Sequence, residues 1–147
     1  MSYKIDPILN KLILRYEPDL DFVLIAITAP LKDYRLCFKV NKQLRIQFAR
    51  IDELSLQQAN ISEVSWFTRY NYFVAETETD YYLIANKGTE GFLVPEMKTA
   101  DFFILIRSYI DVEELSALIS ALNKIPEVLV AAEVDPKRLK SKENLIF

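Results

Sequence analysis

The stretch DFVLIAIT, residues 21–28, decides the fold. Between Asp21 and Thr28 it holds no polar side chain, and it is rich in β-branched residues. A strand with one wet face alternates polar and apolar positions. An uninterrupted run of this length predicts a strand buried on both faces. DFFILIR, residues 101–107, has the same character and the same opening pair, Asp then Phe.

A helix and then a further strand are expected after each run. After the first, Pro30 suits the first position of a helix. Leu31, Tyr34, Cys37, Phe38 and Leu44 fall near helical spacing and are expected to face the core, with Lys32, Arg35, Lys39 and Lys42 mostly opposite. Residues 45–50 (RIQFAR) alternate, which predicts a strand with one wet face. Residues 51–63 are polar and irregular and read as a surface connection. After the second run, Asp111 and Glu114 have the spacing of a capping box. Leu115, Leu118, Ile119 and Leu122 make an i, i+3, i+4, i+7 stripe, and Pro126 stops the helix. Residues 127–134 (EVLVAAEV) then read as a strand.

Two strand–helix–strand units follow, at 21–50 and 101–134, each with the more uniformly apolar strand first. That order predicts an α+β, ferredoxin-like two-layer sandwich. The two first strands should lie side by side, antiparallel and central, with both helices on one face. An open α+β sheet of another strand order is the rival. Residues 64–75 and 81–86 predict an added β-hairpin around the turn at 76–80. Residues 87–99, with both glycines and Pro95, read as a loop. Residues 11–16 read as an added N-terminal strand ended by Glu17-Pro18-Asp19. Residues 1–10 are a lead-in, and 11–147 read as one domain with a docked C-terminal tail.

The composition excludes several chemistries. The 147 residues contain no histidine, one cysteine and two glycines. Without histidine there is no Ser–His or Cys–His pair, and no zinc site of the common structural kinds. Two glycines cannot write a P-loop or a dinucleotide fingerprint. No cofactor and no metal is expected. A net charge of -3 opposes broad phosphate binding. No apolar run reaches the ~18 residues of a membrane span. The lone Cys37 fits a reducing compartment, so a cytoplasmic location is expected.

Several segments carry a resemblance. Val94-Pro95-Glu96-Met97-Lys98-Thr99-Ala100-Asp101-Phe102 matches the naming motif of the IPExxxVDY family of bacterial proteins, with conservative changes at Val94, Ala100 and Phe102. Leu31-Lys32-Asp33-Tyr34-Arg35-Leu36 with Asn41-Lys42, Leu83-Ile84-Ala85-Asn86-Lys87 and the stretch from Glu133 to Phe147 also resemble it, in the same order. The resemblance covers residues 11–147 and brings no activity to transfer.

The candidate contacts are Arg35, Lys87, Glu96 and Asp101. Glu96 and Asp101 read either as a ligand-facing carboxylate pair or as loop and strand-end chemistry. Arg35 is placed to clamp an anion or to pair with a surface carboxylate. Lys87 is an anion contact or part of a plain turn. Cys37 reads as an inert core thiol. The hairpin aromatics, Trp66, Tyr70 and Tyr72 among them, are sheet packing or an exposed contact surface. Four basic residues in six, from Lys137 to Lys142, precede apolar Leu145-Ile146-Phe147, which is expected to dock in a groove.

These features favour a non-enzymatic interaction or regulatory module that self-associates, with protein partners, no membrane and no nucleic acid. The alternative is a nucleic-acid-associated protein using the aromatic hairpin and the basic tail. A third reading is a small-molecule enzyme using carboxylate, Tyr or Lys chemistry.

Overall fold

A computed structural model describes residues 20–57 and 62–147. The lead-in and the N-terminal strand expected at 11–16 lie outside these residues. The chain runs β1 (Phe22–Thr28), α1 (Asp33–Leu44), β2 (Ala49–Gln57), β3 (Val64–Val74), β4 (Thr79–Ala85), β5 (Phe102–Arg107), α2 (Val112–Asn123) and β6 (Val130–Val134). All six strands form one open antiparallel sheet in the order β2-β3-β4-β5-β1-β6. The fold is α+β.

The two apolar runs are β1 and β5, and they are adjacent and central. They pair from Phe22↔Arg107 to Ile27↔Phe102. From Phe102 to Ile106, β5 is buried on both sides. Its alternate side chains enter two different cores. Phe102, Ile104 and Ile106 meet α1 (Leu36, Cys37, Val40) and α2 (Leu122), so both helices lie on one face. Phe103 and Leu105 meet Leu93, Val94, Leu139 and Leu145 on the other. A strand covered on both sides has no use for polar side chains, which is why its sequence does not alternate.

Several expectations need correction. The strand expected at 45–50 begins at Ala49 and runs on through the supposed connection to Gln57. It lies at the far edge, with β3 and β4 between it and β5. The strand order therefore does not itself reproduce a four-stranded ferredoxin-like sheet. The helix after Pro30 starts three residues late, with Lys32 at its N-cap, and ends on Arg45 in a left-handed conformation (φ 57°). Its buried stripe is Leu36, Cys37 and Val40. Tyr34 and Phe38, expected in the core, are 60% and 66% exposed. On α2 the capping expectation holds, since the Glu114 N–H donates to Asp111 Oδ1 at 2.7 Å. Leu122 is fully buried, while Leu115, Leu118 and Ile119 are half-buried against the same core.

Each helix carries an asparagine that bonds like a neighbouring strand. Asn41 accepts from the Phe48 N–H at 2.8 Å and donates to the Phe48 carbonyl at 3.1 Å. Asn123 makes the same two bonds with Ala131, both at 2.9 Å. Ala131 lies in the edge strand β6, so its main-chain donor and acceptor are not available to another chain. The opposite edge is guarded differently. β2 has a register break between Ile51 and Leu54, exposed Arg50, Asp52 and Glu53, and an Asp52 carbonyl held by Arg69 Nε at 3.0 Å. Bulges and charges of this kind discourage edge-to-edge pairing.

Candidate functional site

A cleft of about 590 Å³ opens where β1 turns through Ala29 and Pro30 into α1. Thr68 of β3, the end of β4 with Lys87 beyond it, and the start of β5 form its other walls. The β-branched and aliphatic residues of β1 continue the sheet to Thr28, and Pro30, with no N–H to donate, ends it. Of the four candidate contacts, the cleft brings together Lys87 and Asp101, and adds Lys32 and Asp33.

Both carboxylates of the cleft are committed. Asp101 Oδ2 accepts from the Ala29 N–H at 2.8 Å, while the Asp101 N–H donates to the Ile27 carbonyl at 2.8 Å. Asp101 thus braces the end of β1 against the start of β5. Asp33 Oδ2 accepts from the Tyr70 hydroxyl at 2.5 Å and lies 4.0 Å from Arg50 Nη1. The Lys32 and Lys87 ammonium groups form no ion pair among the described residues.

The groups nearest to reactive chemistry are held in their protonated forms. Burial, with the charge of Asp33 adding to it against a hydrogen bond from Asn41, pushes the Cys37 thiol up to about 11. Burial and then the hydrogen bond to Asp33 push the Tyr70 phenol well above its ordinary value. A thiol that keeps its proton at neutral pH is a poor nucleophile, so the inert reading of Cys37 fits its place in the core.

Glu96 does not join Asp101. It follows Pro95 in the short 3-10 turn Pro95–Met97, and its carboxylate accepts from both the Ser141 N–H at 3.0 Å and the Ser141 hydroxyl at 2.9 Å. Partial burial works to raise its pKa, but the bonds from Ser141, together with main-chain N–H groups of Glu96 and Lys140, outweigh it and hold the carboxyl below its ordinary value. Glu96 is a latch for the C-terminal tail. Arg35 stands apart from the cleft lining on the exposed side of α1. It and Lys39 face Glu127, which pairs with Lys39 at 3.1 Å and is held acidic first by that bond.

The organiser of this region is Asn86, which the sequence places at the end of the strand at 81–86. It is fully buried. Its side chain donates to the Met97 carbonyl at 2.9 Å and the Ala100 carbonyl at 2.8 Å, and accepts from the Val94 N–H at 2.8 Å. One side chain thereby satisfies three main-chain groups of the motif segment. The signal for it was an asparagine where the apolar strand ends. Gly88, two residues on, is required by contact, since a Cβ there would lie 2.6 Å from Phe67 Cε1 and Ser65 Oγ.

The hairpin aromatics do not form one contact surface. Tyr70 is buried under α1, and Tyr72 packs edge-on to Phe48 and against Tyr81. Trp66 stays 46% exposed near the start of β3. The tail docks on the sheet face opposite the helices. Leu145 is fully buried, while Ile146 points outward and is 38% exposed. The Phe147 ring meets Tyr82 edge-on at 5.1 Å, under the guanidinium groups of Arg107 (4.6 Å) and Arg69 (5.1 Å). Arg107 also donates to the Phe147 main-chain oxygen.

Among the described residues no three of Asp, Glu and Cys converge as a metal site, and no helix is long and apolar enough to cross a membrane. Comparison with protein-family models, with curated proteins and with solved structures finds no match for this chain.

Proposed function

We propose that the chain is a non-enzymatic interaction module whose contact face is the outer side of α1. One observation carries the reading. Tyr34 and Phe38, 60% and 66% exposed, stand one helical turn apart, in a column that Lys42 continues and Arg35 flanks. Two large aromatics left in water on a rigid helix are expensive for a lone molecule, and aromatics with arginine are enriched at protein contacts. The protected edges of β2 and β6 favour association through this face over strand addition. The raised pKa values of Cys37 and Tyr70 favour binding over catalysis.

The chemistry of the face calls for an acidic and partly apolar partner. The chain carries such a patch at the start of α2, where exposed Tyr109 and Val112 adjoin exposed Glu113 and Glu114. A second copy therefore fits, α1 face to α2 start. Sedimentation velocity over a wide concentration range tests this. Self-association that weakens with salt and disappears in Tyr34→Ser/Phe38→Ser is the expected result, since neither side chain supports the core. A monomer at every concentration removes the self-association reading. The same basic and aromatic face favours a second reading, single-stranded nucleic acid stacked on Tyr34 and Phe38. Submicromolar binding of labelled single-stranded RNA with a steep salt dependence would put that reading first.

The ferredoxin-like reading remains a proposal of ours, supported by the partial order β6-β1-β5-β4 with both helices on one face. In this view β2 and β3 are an extension of the sheet. Membership of the IPExxxVDY family is likewise a proposal, resting on the ordered segments quoted above.

A further inference from the structure

We propose that the cleft beside Lys32 and Lys87 is a binding site for a small phosphate monoester with a compact apolar body. Four ionisable residues line the cleft, and its two carboxylates are already bound, Asp101 to the Ala29 N–H and Asp33 to Tyr70 with Arg50 beside it. The two ammonium groups are in no ion pair among the described residues. By formal charge the lining is balanced, two lysines against two aspartates, but the carboxylates are engaged by fixed partners while, among the described residues, the ammonium groups are not. An anion in the cleft would give both ammonium groups a counter-charge. A phosphate monoester carries a charge of about −1.5 to −2 at neutral pH, which matches two ammonium groups better than a monoanion does.

The shape agrees with the charge. A volume of about 590 Å³ lies within the roughly 300–1,000 Å³ of small-molecule sites. The floor is apolar and fixed, because Phe102 and Ala29 belong to the core and scarcely reach solvent. Thr68 contributes a hydroxyl at the wall. The rim bearing Lys87 is held by the hydrogen bonds of Asn86 on one side and by the close approach of Gly88 to Phe67 on the other. The apolar floor suits the ligand body, and the two lysines of the lining suit its head.

The test is a titration of the full chain with phenyl phosphate, followed by amide chemical shifts, with inorganic phosphate, phenol and benzoate in parallel. Saturable shifts are expected at Gly88, Thr68 and Ala29, with phenyl phosphate binding more tightly than the other three. Lys32→Gln/Lys87→Gln should weaken it at least about tenfold, the loss of roughly 1.4 kcal/mol. Both lysines are exposed, so the variant spectrum should otherwise match the parent. Absence of saturable shifts at these amides overturns the proposal, and so does binding that the double variant leaves unchanged. Equal binding of benzoate overturns the choice of a dianion. The site is independent of the Tyr34–Phe38 column, so either reading can fail alone.

Discussion

Glu96 and Ser141 are 45 residues apart in the chain and are joined by two hydrogen bonds, from the serine N–H at 3.0 Å and from its hydroxyl at 2.9 Å. Both carboxylate oxygens are used. The 3-10 turn of the motif segment thereby holds the tail at the point where it begins its path over the sheet.

This latch should be sensitive to acid. The folded-state pKa of Glu96 lies below its ordinary 4.5, although partial burial opposes the shift. A carboxyl with a depressed folded pKa contributes stability that is fully present above its unfolded value and lost as pH falls through the folded one. Exchange protection of the Ser141 amide should therefore be lost as the pH falls below 4.5. Glu96→Gln should loosen the tail at neutral pH, cost about 1 kcal/mol and abolish this pH step. An unchanged step in the variant would assign it to another group.

Asn86→Ala should be among the most damaging single changes in the chain. It removes three hydrogen bonds at a fully buried position and leaves the Val94 N–H and the Met97 and Ala100 carbonyls without that partner. Each buried group left unsatisfied costs about 1–3 kcal/mol. Urea denaturation should show a loss above about 3 kcal/mol, beyond the ordinary range for single substitutions. A loss below about 1 kcal/mol would mean that water replaces the side chain.

Leu145→Ala should cost about 2–5 kcal/mol, because the side chain is fully buried within the same subunit. Its effect on the thermal midpoint should be the same at low and high protein concentration. A concentration-dependent loss would place the groove on a second molecule. Ile146→Ser should be close to neutral by comparison, as that side chain points to solvent.

Much of the layered plan was legible because it rests on local pattern. The unbroken apolar runs placed β1 and β5 side by side in the middle of the sheet. Asp111 and Pro126 bracketed α2, and the spacing of the hairpin was plain. The failures have physical causes as well. Tyr34 and Phe38 satisfied a loose helical period, but Leu36, Cys37 and Val40 define a neighbouring stripe, and only one of the two can face the sheet. ARIDELSLQ hides its strand character because a register break interrupts the alternation at an edge where polar side chains are tolerated. No local pattern could place β2 beyond the hairpin, since that position is set by strand pairing alone. For the candidate site, the roles of Glu96 and Asp101 depend on Ser141 and Ala29, partners 45 and 72 residues away. Of the four candidate side chains only Lys87 and Asp101 line the cleft, and no local pattern could show that Asp101 was already occupied.

The two sides of the sheet differ in when they can be finished. Most of the helix-side core is present once α2 and β6 have left the ribosome. The opposite side waits for Leu139 and Leu145, which lie further along the chain. Until then the apolar plane of Phe67, Ile84, Phe103 and Leu105 is covered only in part, by the segment that holds Leu93 and Val94. A nascent or truncated chain stopped before Ser141 would present that plane to chaperones and to its own neighbours. The segment from Leu139 to Leu145 thus decides whether that side of the sheet is closed to water.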